Sequence, residues 1–324
     1  MNQKKLAEIL HVSPSTVSKA LSGSNEISQE IKDAVQKLAI DMGYFKEKSR
    51  RKRDYNKNSD LLIALVVPEV MGFYYSTIIT YMKNEIEARG GQVAVYIYDF
   101  SHEKANKILK SIILREGADG VLFFAKPELD TKPNIPIVTV DCKVEDYDSV
   151  CCDAYEIIED SVKYLYSLGH RKIGYVGEPN TVKGLGIFKE VMQKAGLDVN
   201  DEFIYFVKNR FEAIGEEAVC KIAEQKDRPT ALIAAYDEVA ISLTNHLNRC
   251  GIKVPDDISV IGKNNISSSA HTSPPLTTID TFSSEQFEAA VSLLFDKIIN
   301  EEKSVKHITI QHKIIERETT NKIN

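Results

Sequence analysis

Much is missing from this chain of 324 residues, and the absences exclude whole classes of protein. No apolar run approaches the about 18 residues of a membrane span. Residues Asn2 to Lys5 are polar and charged where a signal peptide would turn apolar. A cytoplasmic location with no membrane contact is expected. The five cysteines, Cys142, Cys151, Cys152, Cys220 and Cys250, form no C-x-x-C pair and have no histidine at metal spacing. They are expected to be reduced thiols, mostly buried, with a vicinal redox pair at Cys151–Cys152 as the alternative. No metal and no cofactor is expected. The first strand-like run is not followed by G-x-G-x-x-G, and the chain has no Walker loop, no G-x-S-x-G and no metal-spaced histidine pair. Catalysis is therefore not expected.

Charge is present but unevenly placed. Residues 1–60 hold 12 basic and 8 acidic side chains, and the remaining 264 hold 29 and 39. A basic end on an acidic body suits a nucleic-acid-binding module carried by a body that must not stick to DNA. The alternative is an acidic protein with a basic tail.

Residues 12–21, Val-Ser-Pro-Ser-Thr-Val-Ser-Lys-Ala-Leu, carry the most specific signal. Ser13 is a good N-cap, because its hydroxyl can accept from an open backbone N–H of the first turn. Pro14 falls at the first helical position, where its missing N–H costs nothing. Ser15, Thr16, Ser18 and Lys19 offer short hydroxyls and one cation, suited to phosphates and base edges. Val17, Ala20 and Leu21 supply the buried stripe. A short helix precedes through Leu6, Ala7, Ile9 and Leu10. A third helix follows Ser28, with Ile31, Ala34, Val35, Leu38, Ala39 and Met42 on one face and Gly43 as its stop. Three such helices match a helix-turn-helix headpiece; an ordinary small helical domain is the alternative.

From Leu61 onward, short apolar runs alternate with amphipathic helices. Strands are expected at 61–67, 92–98, 121–124, 135–140, 172–177, 202–207, 230–235 and 258–261. Helices are expected at 76–89, 103–115, 155–168, 183–195, 212–225 and 238–250. Two such series imply two Rossmann-like lobes built on parallel sheets. Ligands of such sheets bind at the carboxyl ends of the strands.

The chain resembles the lactose-repressor (LacI/GalR) family of bacterial transcription regulators. Residues 5–22 follow the headpiece pattern. Leu168-Gly169-His170-Arg171-Lys172-Ile173, Val254-Pro255-Asp256-Asp257-Ile258-Ser259-Val260-Ile261-Gly262 and Pro274-Pro275-Leu276-Thr277-Thr278-Ile279 match three later blocks in order. The resemblance implies an all-α helix-turn-helix headpiece over 1–45, a basic linker or hinge over 46–60, and a periplasmic-binding-protein-like α/β core over 61–324. Lobe 1 would take about 61–152 and 283–306, and lobe 2 about 153–280 and 309–324. It implies a repressor of a carbohydrate-related operon, binding a pseudo-palindromic double-stranded DNA operator as a homodimer. A sugar or modified sugar bound between the lobes would set DNA affinity. A regulator with no small effector or with a protein corepressor, and a non-regulatory periplasmic-type binding protein, are the alternatives.

The family's DNA-contacting positions fall on Ser13, Pro14, Ser15, Thr16, Ser18, Lys19, Asn25 and Tyr44. The linker departs from the family, because arginine at Arg53 replaces a leucine that wedges into the minor groove. Six of the eight residues from Lys46 to Arg53 are basic. Arg50, Arg51 and Arg53 are expected to follow the minor groove electrostatically. Effector-site candidates are Tyr74 and Tyr75, in a loop that often stacks on a ligand in relatives, and Asp99 and Asp141 at strand ends, each with a loop or helix-cap role as the alternative; Lys183, Tyr236, Asp237 and Asn264 lie at or beside positions aligned with the family's ligand residues. Here too the chain departs: Gly184 stands where relatives carry arginine, and Lys263-Asn264 replaces a pair that includes an aspartate. Asparagine cannot accept bidentately as a carboxylate does.

Overall fold

The computed structural model describes residues 3–24, 26–42, 44, 61–116, 118–129, 133, 135–300, 302 and 304–323. Three helices come first: α1 (Gln3–Ile9), α2 (Pro14–Leu21) and α3 (Gln29–Asp41). Leu6, Ala7, Val17, Ala20, Val35, Ala39 and Tyr44 form their common core. This shared apolar core accounts for three short helices that would be marginal alone.

The rest of the chain is built on two six-stranded sheets. The first contains β1 (Leu62–Val67), β2 (Gln92–Ile97), β3 (Gly120–Phe123), β4 (Ile137–Val140), β5 (Asp148–Cys151) and β11 (His307–Thr309), in the order β11-β5-β4-β3-β1-β2. β1 is buried from Ile63 to Val67, as a continuous apolar run in a covered parallel sheet should be. Its helices are α4 (Phe73–Ala88), α5 (His102–Ser111) and α10 (Ser284–Asn300). Ser101 starts α5, its hydroxyl accepting from Lys104 N at 3.2 Å. The helix expected over 103–115 ends at Ser111 and continues as a π-turn, Ile112–Glu116.

The second sheet contains β6 (Ile173–Gly177), β7 (Ile204–Phe206), β8 (Ala231–Ala234), β9 (Ser259–Lys263), β10 (Thr277–Asp280) and β12 (Lys313–Ile315), in the order β12-β10-β9-β8-β6-β7. Val176, Leu232 and Val260 share one core with α8 (Glu212–Glu224) and α9 (Asp237–Arg249). Tyr175, Ile233 and Ile261 share another with α6 (Ala154–Ser167) and α7 (Val182–Lys194). Successive residues of one strand thus face opposite helix layers. Each large side chain sealed there contributes about 1.5–3 kcal/mol of burial.

The sequence pattern does not expose β5, β10, β11 or β12. They are three or four residues long, and β11 and β12 are half-exposed. β12 also runs antiparallel to β10, against the all-parallel expectation. Contacts divide the chain into two units. Unit 1 takes Met1–Met71, Tyr75–Cys151 and Ser284–Ile308; unit 2 takes Gly72–Tyr74, Cys152–Ser283 and Thr309–Asn324. Among the described residues no helix is long and apolar enough to cross a membrane.

Candidate nucleic-acid interface and effector site

α2 is built to show one polar row. Ser13 lies in extended backbone, and its Oγ accepts from Thr16 N at 3.0 Å and lies 2.8 Å from Thr16 Oγ1. Pro14 occupies the first turn. Val17 and Ala20 are fully buried, which turns Ser15, Ser18 and Lys19 to solvent and leaves Thr16 half-buried. Lys19 pairs through Nζ with the carboxylate of Glu26, in the turn before α3. Tyr44 is not part of this row; it is buried in the headpiece core. Asn25, Arg50, Arg51 and Arg53 lie outside the described residues, as does all of the basic linker 46–60.

Backbone strain collects elsewhere. Among the described residues, seven non-glycine positions have positive φ. Six of them follow strand carboxyl ends: Asp99 and Phe100 after β2, Asp141 after β4, Phe211 after β7, and Asn264 and Asn265 after β9. Such residues cost about 1–3 kcal/mol each and cluster where geometry serves function.

In unit 1, Asp99 is exposed and ion-paired with Lys104. Asp141 accepts from Gln286 Nε2 at 2.8 Å. Tyr75 sets its ring edge-on to Phe100 and Phe124, at 6.3 and 6.2 Å between centroids. In unit 2, Tyr74 meets Phe282 edge-on at 5.7 Å. The Tyr236 hydroxyl accepts from Phe211 N at 3.3 Å, and burial raises its pKa. Asn264 is buried, with Oδ1 accepting from Thr281 Oγ1 at 3.0 Å. Lys183 is exposed on the first turn of α7.

Asp237 is enclosed by the protein. It is fully buried, and both carboxylate oxygens are used by the protein: Oδ1 accepts from Thr278 Oγ1 at 2.6 Å and Oδ2 from Ile266 N at 2.8 Å. Burial pushes its carboxyl up to about 7, against the pull of those two hydrogen bonds. A Cβ on Gly262 would stand 2.2 Å from Oδ1, so the glycine makes room for this carboxyl. Asp237 thus ties the ends of β9 and β10 to α9.

Comparison with known proteins covers the whole chain. A periplasmic binding protein-like domain model matches residues 162–320. The HTH-type transcriptional repressor CytR of Escherichia coli K12 is 28% identical over 308 residues, covering 91% of this chain and 89% of CytR. The HTH-type transcriptional repressor PurR of Vibrio vulnificus is 26% identical over 340 residues, covering 99% of both chains, headpiece included. These full-length similarities to transcriptional repressors accord with the LacI/GalR resemblance of the sequence. A putative LacI regulator from Bacillus cereus superposes with a TM-score of 0.73 at 23% identity, over 82% of this chain and all of that one. The regulator CelR in complex with cellobiose gives 0.67 at 19% identity, over 98% and 99%. These two structures share the fold.

Against the LacI/GalR pattern, the Gly184 position is closed as well as unfilled. A Cβ there would stand 2.9 Å from the Tyr175 hydroxyl. Sequence reasoning missed the main ion pair of this edge. Glu178, 2% exposed, accepts from Arg210 Nε at 3.2 Å and from Asn180 N at 3.3 Å. The Arg210 guanidinium lies over the Phe211 ring at 4.5 Å. Only the fold joins positions 178 and 210, and no local motif signals them. The cysteine expectation is also corrected: Cys151 is buried, Cys142 and Cys152 are half-buried, and Cys220 and Cys250 are exposed. No disulfide joins them.

Proposed function

We propose that this protein is a LacI/GalR-family, sequence-specific transcriptional repressor that reads a pseudo-palindromic operator as a homodimer. Residues 1–45 would be the reading headpiece and 46–60 the linker. The polar row of Ser15, Ser18 and Lys19, carried on a core of its own, is the observation that supports the reading most. Lys19 donates to guanine O6/N7, Ser15 faces base edges, and Ser13, Thr16 and Ser18 hold phosphates. Two-fold pairing is what one headpiece per half-site requires. The protein acts in the cytoplasm and catalyses no reaction.

A carbohydrate-like molecule would set DNA affinity, held by side chains at strand carboxyl ends: Tyr74, Tyr75, Asp99, Asp141, Lys183, Tyr236 and Asn264. The clustering of positive-φ residues there supports this. Any such ligand must bind two conformations of the protein differently to change DNA affinity. A second reading, a regulator with no small effector, is favoured by the sealed Asp237 and the closed Gly184 position.

Selection of bound duplexes from a random library by the full-length protein tests the first reading. A two-fold sequence with half-sites about one helical turn apart is expected; no enrichment contradicts it. Cellobiose and a panel of sugars and sugar phosphates, read by thermal denaturation and operator affinity, separate the two readings of the effector site. A shift with one compound supports the ligand, and none with any supports the second reading.

A further inference from the structure

We infer that Glu26 is a specificity-determining residue that weakens binding to DNA that Lys19 cannot read. The inference rests on the reading of α2 as the recognition helix. Glu26 is 68% exposed in the turn between α2 and α3, and its carboxylate is paired with Lys19, itself 46% exposed. Lys19 is the one cation in the α2 sequence Pro-Ser-Thr-Val-Ser-Lys-Ala-Leu. The turn that carries Glu26 is held by its own hydrogen bonds. Ser24 Oγ accepts from Glu26 N at 3.3 Å, and Ser22 Oγ donates to Lys19 O at 3.0 Å. The carboxylate therefore sits on the same surface as the hydroxyl row.

An exposed ion pair of this kind adds little to folding, so stability does not account for it. Its effect is on DNA. A carboxylate brought against the phosphate lattice is repelled on every sequence, and Lys19 reaches the duplex already neutralised. The cost is offset at one kind of site. Where guanine lies within reach, Lys19 transfers to O6/N7, and the cytosine paired with that guanine offers its N4–H donor to the released carboxylate. Elsewhere Lys19 and Glu26 stay paired and the repulsion stands. Glu26 thus lowers affinity for wrong DNA more than for right DNA, which is selectivity by a built-in repulsive element.

The test uses the full-length protein, the duplex enriched by selection, and a scrambled duplex of the same length and composition. Dissociation constants are measured over a range of KCl for wild type, Glu26→Gln and Glu26→Asp. Both substitutions are at an exposed turn and leave the headpiece core intact. Glu26→Gln is expected to tighten scrambled DNA by roughly tenfold and the enriched duplex by much less, and to steepen the salt slope on scrambled DNA by about 1. Glu26→Asp keeps the charge and is expected to hold the ratio of the two affinities near wild type. A ratio unchanged in Glu26→Gln, or lost equally in Glu26→Asp, overturns the inference alone. A wild-type protein that discriminates between no duplexes overturns the recognition-helix reading and this inference with it.

Discussion

The headpiece and the carboxyl edge of the unit 2 sheet use polar residues in opposite ways. On α2 the polar side chains are exposed, and the buried positions are small and apolar. At the unit 2 edge the strongest polar groups are buried and already satisfied by the protein: Asp237 by Thr278 and Ile266, Glu178 by Arg210 and Asn180. The contrast follows from what each surface must do. On the proposed reading, the α2 face keeps its donors in water until a duplex replaces the solvent, and costs little stability in doing so. An edge formed by strand ends must fix backbone in unfavourable φ, and buried hydrogen bonds hold it there.

That comparison can be broken most directly at Asp237. Asp237→Ala leaves Ile266 N and Thr278 Oγ1 buried without their acceptor and should destabilise unit 2 by about 3 kcal/mol in urea unfolding. A loss under about 1 kcal/mol would show the carboxylate to be dispensable. Next in size, Arg210→Leu strands the Glu178 carboxylate at 2% exposure. Because Arg210 is itself 31% exposed, solvent screens the pair, and a loss of about 2 kcal/mol is expected. On the headpiece side, Ser13→Ala removes a surface cap and should cost only about 1 kcal/mol. Amide exchange in α2 should accelerate while unit 2 exchange stays as in wild type; equal acceleration in both would contradict separate cores.

The pH dependence sharpens the contrast further. Folding raises the Asp237 pKa from 3.8 to about 7, so the folded state binds a proton that the unfolded state has lost between those values. Stability from this group is present at low pH and falls as pH rises through about 7. Wild type should lose stability from pH 5 to pH 8 relative to Asp237→Asn, in which that contribution is absent. Parallel curves for the two proteins would contradict the raised pKa.

Legibility divided along the same line. Ser13, Pro14 and the i, i+3, i+4 spacing of Val17, Ala20 and Leu21 lie within three turns of chain, so capping and amphipathicity reveal α2 without any tertiary information. The long apolar run of β1 and the alternation of strands with helices reveal two α/β sheets for the same reason. β11 and β12 were hidden because three half-exposed residues carry no period. At the unit 2 edge, position along the chain says that Asp237 follows a strand, where ligand contacts and buried locks look alike. The structure shows the carboxylate engaged by the protein, and that engagement depends on Gly262, Thr278 and Ile266 arriving from two other segments. The Glu178–Arg210 pair joins residues 32 apart, beyond the reach of any local pattern.

The central claim is that the exposed row of α2 reads base sequence, and Lys19 is its sharpest test. Duplex selection with wild type and Lys19→Ala, run side by side, measures it. The account predicts a two-fold consensus for wild type and the loss of preference at one base pair in each half-site for Lys19→Ala, worth about 1–3 kcal/mol per position. The same consensus from both proteins, or none from wild type, would contradict it.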